Sequence, residues 1–236
     1  MYVLIGGAGL IGLSLAQKLV ELGHTIAVVD IDPIACRYVR EQVGAMAFEG
    51  SAVNTEVLLE AGIRKADSLA AVLRSDALNL ALVTLGKHYG VPHILSRMRH
   101  SDFAEPLRLA GANHIVSTVE LAVSTMVNAI EYPEVESMMH FEQGQIEILK
   151  LAIPNNCYVV GRTLAEVAQN PQFPPGSLII GYQSHLHADL IIPNGSTVLE
   201  PSSTVLIVTK PGQIHQVVDF IEGCQQPDGL NFKKFE

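Results

Sequence analysis

The sequence predicts an α/β protein: a doubly wound parallel sheet followed by a small α+β domain. Three observations predict it. Short apolar runs alternate with amphipathic helical stretches from residue 2 to residue 116, the rhythm of strands joined by crossover helices. Glycines Gly7, Gly9 and Gly12 stand between the first apolar run and the first helical stripe. Beyond residue 144 the apolar runs are separated by turn residues instead of helices, which suits a mixed α+β unit.

The elements follow in order. Residues 2–6 form a short apolar run ending in glycine, a buried strand. Leu10, Leu13, Ala16, Leu19 and Val20 make a helical stripe that Gly23 ends. "TIAVVD" is the second strand. Asp32 and Pro33 then supply a cap and a first-turn proline for a helix that Gly44 closes. "AMAF", "SLAAVL", "HILSR" and "HIVS" are strands three to six. Between them lie the helices "NTEVLLEAG", "DALNLALVTLGKHYG" and "DFAEPLRLAG", the last kinked or ended early by Pro106. "VELAVSTMVNAIE" is a long helix placed after the sheet is complete. Its face of Leu121, Ala122, Thr125, Met126 and Ala129 therefore needs another surface.

"YPEVES" breaks the pattern, so the first domain is placed at 1–132 and a linker at 133–144. The second domain, 145–222, carries the strands "QIEILKLAI", "SLIIGYQ", "ADLIIPNGS" and "STVLIVT". A short helix sits at "VVGRTLAEVAQN" and a closing helix at "GQIHQVVDFIEGC"; the polar 223–236 reads as a loose tail.

Composition narrows the function classes. The 236 residues are 48% apolar and 17% charged, with a formal net charge of −9. An acidic balance argues against a nucleic-acid backbone as partner. No basic n-region precedes the first strand, and no apolar run is long enough to span a membrane. Cys36, Cys157 and Cys224 are odd in number and far apart, which suggests neither a disulfide framework nor a zinc site. A cytoplasmic protein is expected.

The glycine turn carries the chemistry. In G-x-G-x-x-G, Gly7 permits a tight turn out of the strand, Gly9 lets the backbone approach a pyrophosphate, and Gly12 lets the helix pack close to the strand. The helix starting at Leu10 aims N–H groups and a positive dipole end at phosphate. Asp30 ends the second strand 18 residues after Gly12, near the spacing of the acid that binds ribose hydroxyls. The turn follows a strand, opens a helix and lacks a G-K-[ST], so it reads as a Rossmann-like dinucleotide turn and not a Walker loop. Arg74 and Arg97 lie at carboxyl ends of strands, where ligands bind in such sheets; phosphate contact and surface ion pairing are both open to them.

A dehydrogenase needs a proton donor or acceptor near its nicotinamide. The second domain offers His185 and His187 in "SHLHADL", which on a strand would share one face. They read as a polar strand face in preference to a metal pair, because no Cys, Asp or Glu completes a ligand set. No Ser-His-Asp order and no paired catalytic carboxylates stand out.

"GGAGLIGLSLAQKLVELGHTIAVVDIDP", "EGSAVNTEVLLEAGIRKAD", "LRSDALNLALVTLGKHYGV", "LSRM" and "LAGANHIVS", in this order, resemble the RCK or KTN domain. This is the regulatory domain of Trk/Ktr potassium uptake systems and of ligand-gated potassium channels. "IEILKLAIPNNCYVVGRTLAEVA", "GSLIIGYQ" and "DLIIPNGSTVLEPSSTVLIVTKPGQI" resemble the RCK-C domain that follows it, so the resemblance covers residues 1–222. It implies regulatory binding of NAD(H), ATP or ADP. It also implies assembly into dimers and rings beneath a membrane potassium-translocating subunit, at the inner face of the cell membrane.

The positions matched are Gly7, Ala8, Gly9, Leu10, Ile11 and Gly12 of the turn, the ribose acid Asp30, Ser51-Ala52, Leu73-Arg74 and Arg97. Glu120 matches an acid that reaches a bound divalent cation or phosphate, with Val119 where the family often has Pro. A second ligand in the C-terminal domain is also implied. The chain departs from the family at Ser51, where an Asp is usual, and at Leu10 and Ile11, where some ATP-binding members carry an Arg. Ser202-Ser203 replaces a usual Gly-Asp. The expectation is a non-catalytic, nucleotide-sensing gating subunit. An NAD-dependent oxidoreductase and a stand-alone nucleotide or redox sensor are the alternatives.

Overall fold

The computed structural model describes residues 1–141 and 145–223. The chain forms two compact units, Met1–Ala122 and Val123–Glu236.

The first unit is built on β1 (Tyr2–Gly6), β2 (Thr25–Asp30), β3 (Met46–Glu49), β4 (Ser68–Ala71), β5 (His93–Met98) and β6 (His114–Ser117). All neighbours pair in parallel, in the order β3-β2-β1-β4-β5-β6. Alternation along the central strands explains the layers. Leu4, Ala27, Val29, Leu69 and Ala71 belong to one buried cluster; Val3, Ile5, Ile26, Val28 and Ala70 belong to another. Because both faces are covered, these strands read as unbroken apolar runs.

Helices α1 (Leu10–Glu21), α2 (Pro33–Tyr38), α3 (Thr55–Glu60), α4 (Asp76–His88) and α5 (Ala104–Ala110) supply the covers. The caps are local: the Asp32 side chain accepts from the Ile34 N–H, Asn54 from Glu56, and Ser75 from Leu78. After α2 the chain makes one wide turn over Val39–Val43 and stops at Gly44 with φ 74°. The strand order reverses between β1 and β4, so the crevice at their carboxyl ends is where such a sheet takes a ligand.

Pro106 neither kinks nor ends its helix. It is the third residue of α5, in the first turn, where N–H groups have no intrahelical partner to lose. A tight turn over Ser101–Phe103 precedes it. Helix α6 (Thr118–Glu131) follows β6 directly and has no buried residue. Leu121, Val123, Met126, Val127 and Ile130 are all exposed along it.

The second unit contains an antiparallel sheet in the order β7-β8-β10-β9, from β7 (Val135–Phe141), β8 (Ile146–Ala152), β9 (Leu178–Gln183) and β10 (Thr204–Thr209). The expected linker 133–144 is corrected here, since 135–141 is an edge strand. Val135 aligns with Leu151 and Met138 with Leu149, both apolar side chains pack on the core, and Glu136 pairs with Lys150 at 2.7 Å.

Residues 188–196 are not the expected strand. They make one bridge, Ile191 to Tyr182, and the Gln183 side-chain amide donates to the Ala188 carbonyl at 2.7 Å, which holds the segment as a loop. His185 and His187 fall in the turns before it, so the shared strand face is lost; the ring Nδ1 of His185 instead meets the Ser184 hydroxyl at 3.2 Å. Helix α7 (Leu164–Ala168) opens with a reciprocal Thr163–Glu166 cap, whose two hydrogen bonds from Thr163 lower the Glu166 pKa. Helix α8 (Ile214–Glu222) buries Ile214, Val217, Val218 and Ile221. Of the expected tail, Gly223 accepts from the Tyr158 N–H; 224–236 lies outside the described residues.

Candidate functional site

A cavity of about 700 Å³ opens at the carboxyl ends of β1, β2, β4 and β5. Gly7, Ala8, Gly9, Leu10, Ile11, Asp30, Ser51, Ala52, Leu73, Arg74 and Arg97 all line it. Positions spread over ninety residues of sequence thus converge because every strand points the same way.

The glycine turn forms the floor. Gly7 has φ 109°, a conformation that side chains disfavour, and its N–H donates to the Val29 carbonyl at 2.8 Å. A Cβ on Gly9 would meet nothing within 4 Å, so the backbone there faces open space. Gly12 lies outside the lining, and a Cβ on it would come 1.9 Å from the Gly7 carbonyl oxygen. Its hydrogen lets α1 seat against the turn. Gly9 caps α1 without a side-chain acceptor and the first turn holds no acid. No acid of the helix's own first turn offsets its positive end, which starts at the cavity-lining Leu10.

Asp30 forms one wall. Its carboxylate accepts from the Ala8 N–H at 2.5 Å and from the Asp32 N–H at 2.9 Å, tying the glycine turn to the end of β2. Beneath it the buried Cys36 thiol approaches the carbonyls of Asp30 and Phe48 at 3.4 and 3.6 Å. Burial pushes the Cys36 pKa up, the Asp30 hydrogen bond opposes this, and the Asp30 and Glu49 charges add to it.

The opposite wall is basic, with Arg74, Arg97 and Arg99. Arg97 is half-buried, and its Nε is buried with no hydrogen-bond partner among the described residues. A buried donor without an acceptor is costly, while the residue as a whole lines the cavity. The chemistry of the two walls fits a nucleotide: a carboxylate for ribose hydroxyls, a helix N-terminus for a pyrophosphate, and guanidinium groups for phosphate oxygens.

Three residues escaped the sequence reading: Arg99, Asp76 and Asn79. Arg99 stands two places after Arg97 and lines the same wall. Asp76 and Asn79 are buried polar residues on the inner face of α4. Polar side chains three apart on the sheet-facing side of an otherwise apolar helix are the signal that points to them. Glu120 is exposed in the first turn of α6, where its N–H donates to the Ser117 hydroxyl, and it does not line the cavity. Among the described residues, no group of three or more His, Cys, Asp or Glu is placed to hold a metal ion.

Residues 3–118 match the TrkA-N domain and residues 148–222 match the TrkA-C domain. The chain belongs to the TrkA-N/TrkA-C family. It is 28% identical over 216 residues to a "Trk system potassium uptake protein TrkA homolog" of Methanothermobacter thermautotrophicus, spanning 92% of this chain and 97% of that protein. A solved structure described as "GsuK channel bound to NAD" shares the fold with TM-score 0.64 at 24% identity, over 97% of this chain and 40% of that one. A second, "Crystal structure of the GsuK bound to ADP", aligns with TM-score 0.50 at 27% identity, over 56% of this chain and 35% of that one. This TrkA-N/TrkA-C chain therefore spans less than half the length of either channel chain. Among the described residues no helix is long and apolar enough to cross a membrane.

Proposed function

We propose that this chain is a nucleotide-sensing regulatory subunit of a potassium transport system and is not an enzyme. The observation that carries the reading is the polarised cavity at the β1–β4 switch point, with Asp30 on one wall and Arg74, Arg97 and Arg99 on the other. Support also comes from near full-length similarity to a protein named for potassium uptake and from likeness, over 56% of this chain, to a channel structure with ADP.

In this reading the adenosine ribose hydroxyls bond the Asp30 carboxylate. The diphosphate lies over Gly9 at the start of α1, and Arg97 donates to a phosphate oxygen, with Arg74 and Arg99 adding charge. NADH, ADP and ATP share that adenosine diphosphate half and compete for the site. The exposed apolar face of α6 pairs subunits into a dimer and a larger ring under a membrane potassium-translocating subunit. Ligand switches the pore only by binding one ring shape better than the other. Coupling of this kind is typically ~1–3 kcal/mol.

Calorimetric titration of the full chain with NADH, ADP and NADPH tests the reading. NADH and ADP are expected to compete, and NADPH to bind more weakly because its 2′-phosphate meets Asp30. Bound NADH is expected to stay reduced for hours with small aldehydes, ketones and quinones present. Binding of neither ADP nor NADH would sink the proposal, and steady oxidation of NADH would replace the sensor with an oxidoreductase.

A further inference from the structure

The three arginines of the basic wall stand on two different strand ends, yet one helix grips both. Asn79 of α4 is fully buried. Its Oδ1 accepts from the Leu73 N–H at 2.8 Å, and its Nδ2 donates to the Leu73 and Arg97 carbonyls, each at 3.1 Å. One side-chain amide thus joins the residue before Arg74, after β4, to the backbone of Arg97 in β5. One turn earlier Asp76, 6% exposed, takes the other loop. Its carboxylate accepts from the Arg99 N–H at 3.0 and 3.2 Å and from the His100 N–H at 3.0 Å.

Parallel pairing of β4 with β5 runs only from Ser68–His93 to Ala71–Ser96. Beyond that point the sheet ladder no longer sets the spacing of the two chain segments. The amide of Asn79 spans the gap, and its buried polar groups are matched to backbone partners on both sides. An apolar side chain would fill the volume at less desolvation cost, but it would leave the Leu73 N–H and two carbonyls without this partner.

We propose that Asn79, assisted by Asp76, is a positioning residue for anion recognition: it holds the Arg74 loop and the Arg97–Arg99 segment at the separation that a nucleotide's phosphates require. This rests on the nucleotide reading of the cavity. It gives α4 a part in binding although neither Asn79 nor Asp76 lines the cavity. It separates the two walls energetically, because the Asp30 wall has its own tie through the Ala8 N–H.

The test compares ADP with adenosine, which lacks the phosphates, by calorimetry on the full-length wild type, Asn79→Ala and Asp76→Asn, with thermal melting as a fold check. For Asn79→Ala the affinity for ADP is expected to fall about tenfold, the scale of one mispositioned charged hydrogen bond, while adenosine affinity stays within about twofold. Asp76→Asn, which keeps one acceptor oxygen, is expected to shift the same ratio in the same direction by about threefold. If Asn79→Ala does not fold, the Asp76→Asn ratio decides. Equal losses for ADP and adenosine would reduce the pair to a structural role and overturn the proposal, as would no loss for either. A wild type that binds ADP with such variants overturns the positioning role alone; a wild type that binds neither ligand removes the nucleotide reading, and the proposal with it.

Discussion

On one wall of the cavity Asp30 already holds two backbone N–H groups, from Ala8 and Asp32; on the other stand Arg74, Arg97 and Arg99, the Arg97 Nε buried with no hydrogen-bond partner among the described residues. The two walls therefore respond differently to a ligand. In the proposed reading ribose hydroxyls use the lone pairs that Asp30 keeps beside its two backbone bonds, and exchanging water for such bonds yields a modest net free energy. In the same reading a phosphate oxygen at the Arg97 guanidinium exchanges water for charge-assisted hydrogen bonds, which are the stronger kind. The proposed reading thus makes the basic wall the place for affinity, and the acidic wall the place for selectivity among ligands that share an adenosine.

The largest effect comes from breaking the floor common to both walls. Gly9→Glu puts a carboxylate where the diphosphate lies, and affinity for ADP and NADH is expected to fall about a hundredfold or more from like-charge repulsion. Because a Cβ at Gly9 meets nothing within 4 Å, the melting temperature should stay close to that of the wild type. Calorimetry with a parallel melt checks both halves.

Arg97→Gln acts on the basic wall alone. It should lower ADP affinity about tenfold, leave adenosine binding in place and flatten the salt dependence of ADP binding. An equal loss for adenosine would erase the distinction between the walls.

Asp30→Asn acts on the acidic wall. The amide keeps one oxygen for the Ala8 or Asp32 N–H, so NADH affinity should drop only about threefold. The preference for NADH over NADPH should narrow, because the charge facing a 2′-phosphate is gone. A widened preference would contradict the assignment of Asp30 to the ribose.

The smallest effect concerns Cys36 under the acidic wall. Its folded-state pKa is raised, chiefly by burial, so the native thiol should resist alkylation at neutral pH and react only on unfolding. The sign for stability follows from linkage. A raised pKa favours the folded state below the ordinary thiol range, and that contribution is lost as pH climbs through the raised value. Melting between pH 7 and pH 10 should show stability falling on the alkaline side, and Cys36→Ala should remove its share of that slope.

What could be read in the sequence was whatever depends on near neighbours. Alternating apolar runs and helical stripes announced the parallel sheet. Asp32-Pro33 announced a helix start, and Gly7, Gly9 and Gly12 announced the turn, because backbone conformation and capping act over a few residues. The six-strand order and the convergence of eleven anticipated residues on one cavity follow from that pattern, since right-handed crossovers leave few topologies open.

Tertiary structure decided the rest. Val135–Phe141 became a strand because Leu149 and Leu151 of β8 offer it an apolar edge, and no local feature of "YPEVES" records that. Residues 188–196, apolar enough for a strand, stayed a loop held by Gln183. Pro106 fell within a first turn whose start was set by the preceding tight turn. The spacing of Asp76 and Asn79 on α4 hints at buried polar groups, but the three hydrogen bonds of Asn79, to segments 6 and 18 residues away, exist only once β4 and β5 lie side by side. Sequence alone determined the alternating elements of the first unit and the glycine turn through short-range sterics and hydrogen bonding. Only the packed fold could decide which strand edge is covered and how far apart two arginine-bearing segments are held, because those distances are set between residues remote in the chain.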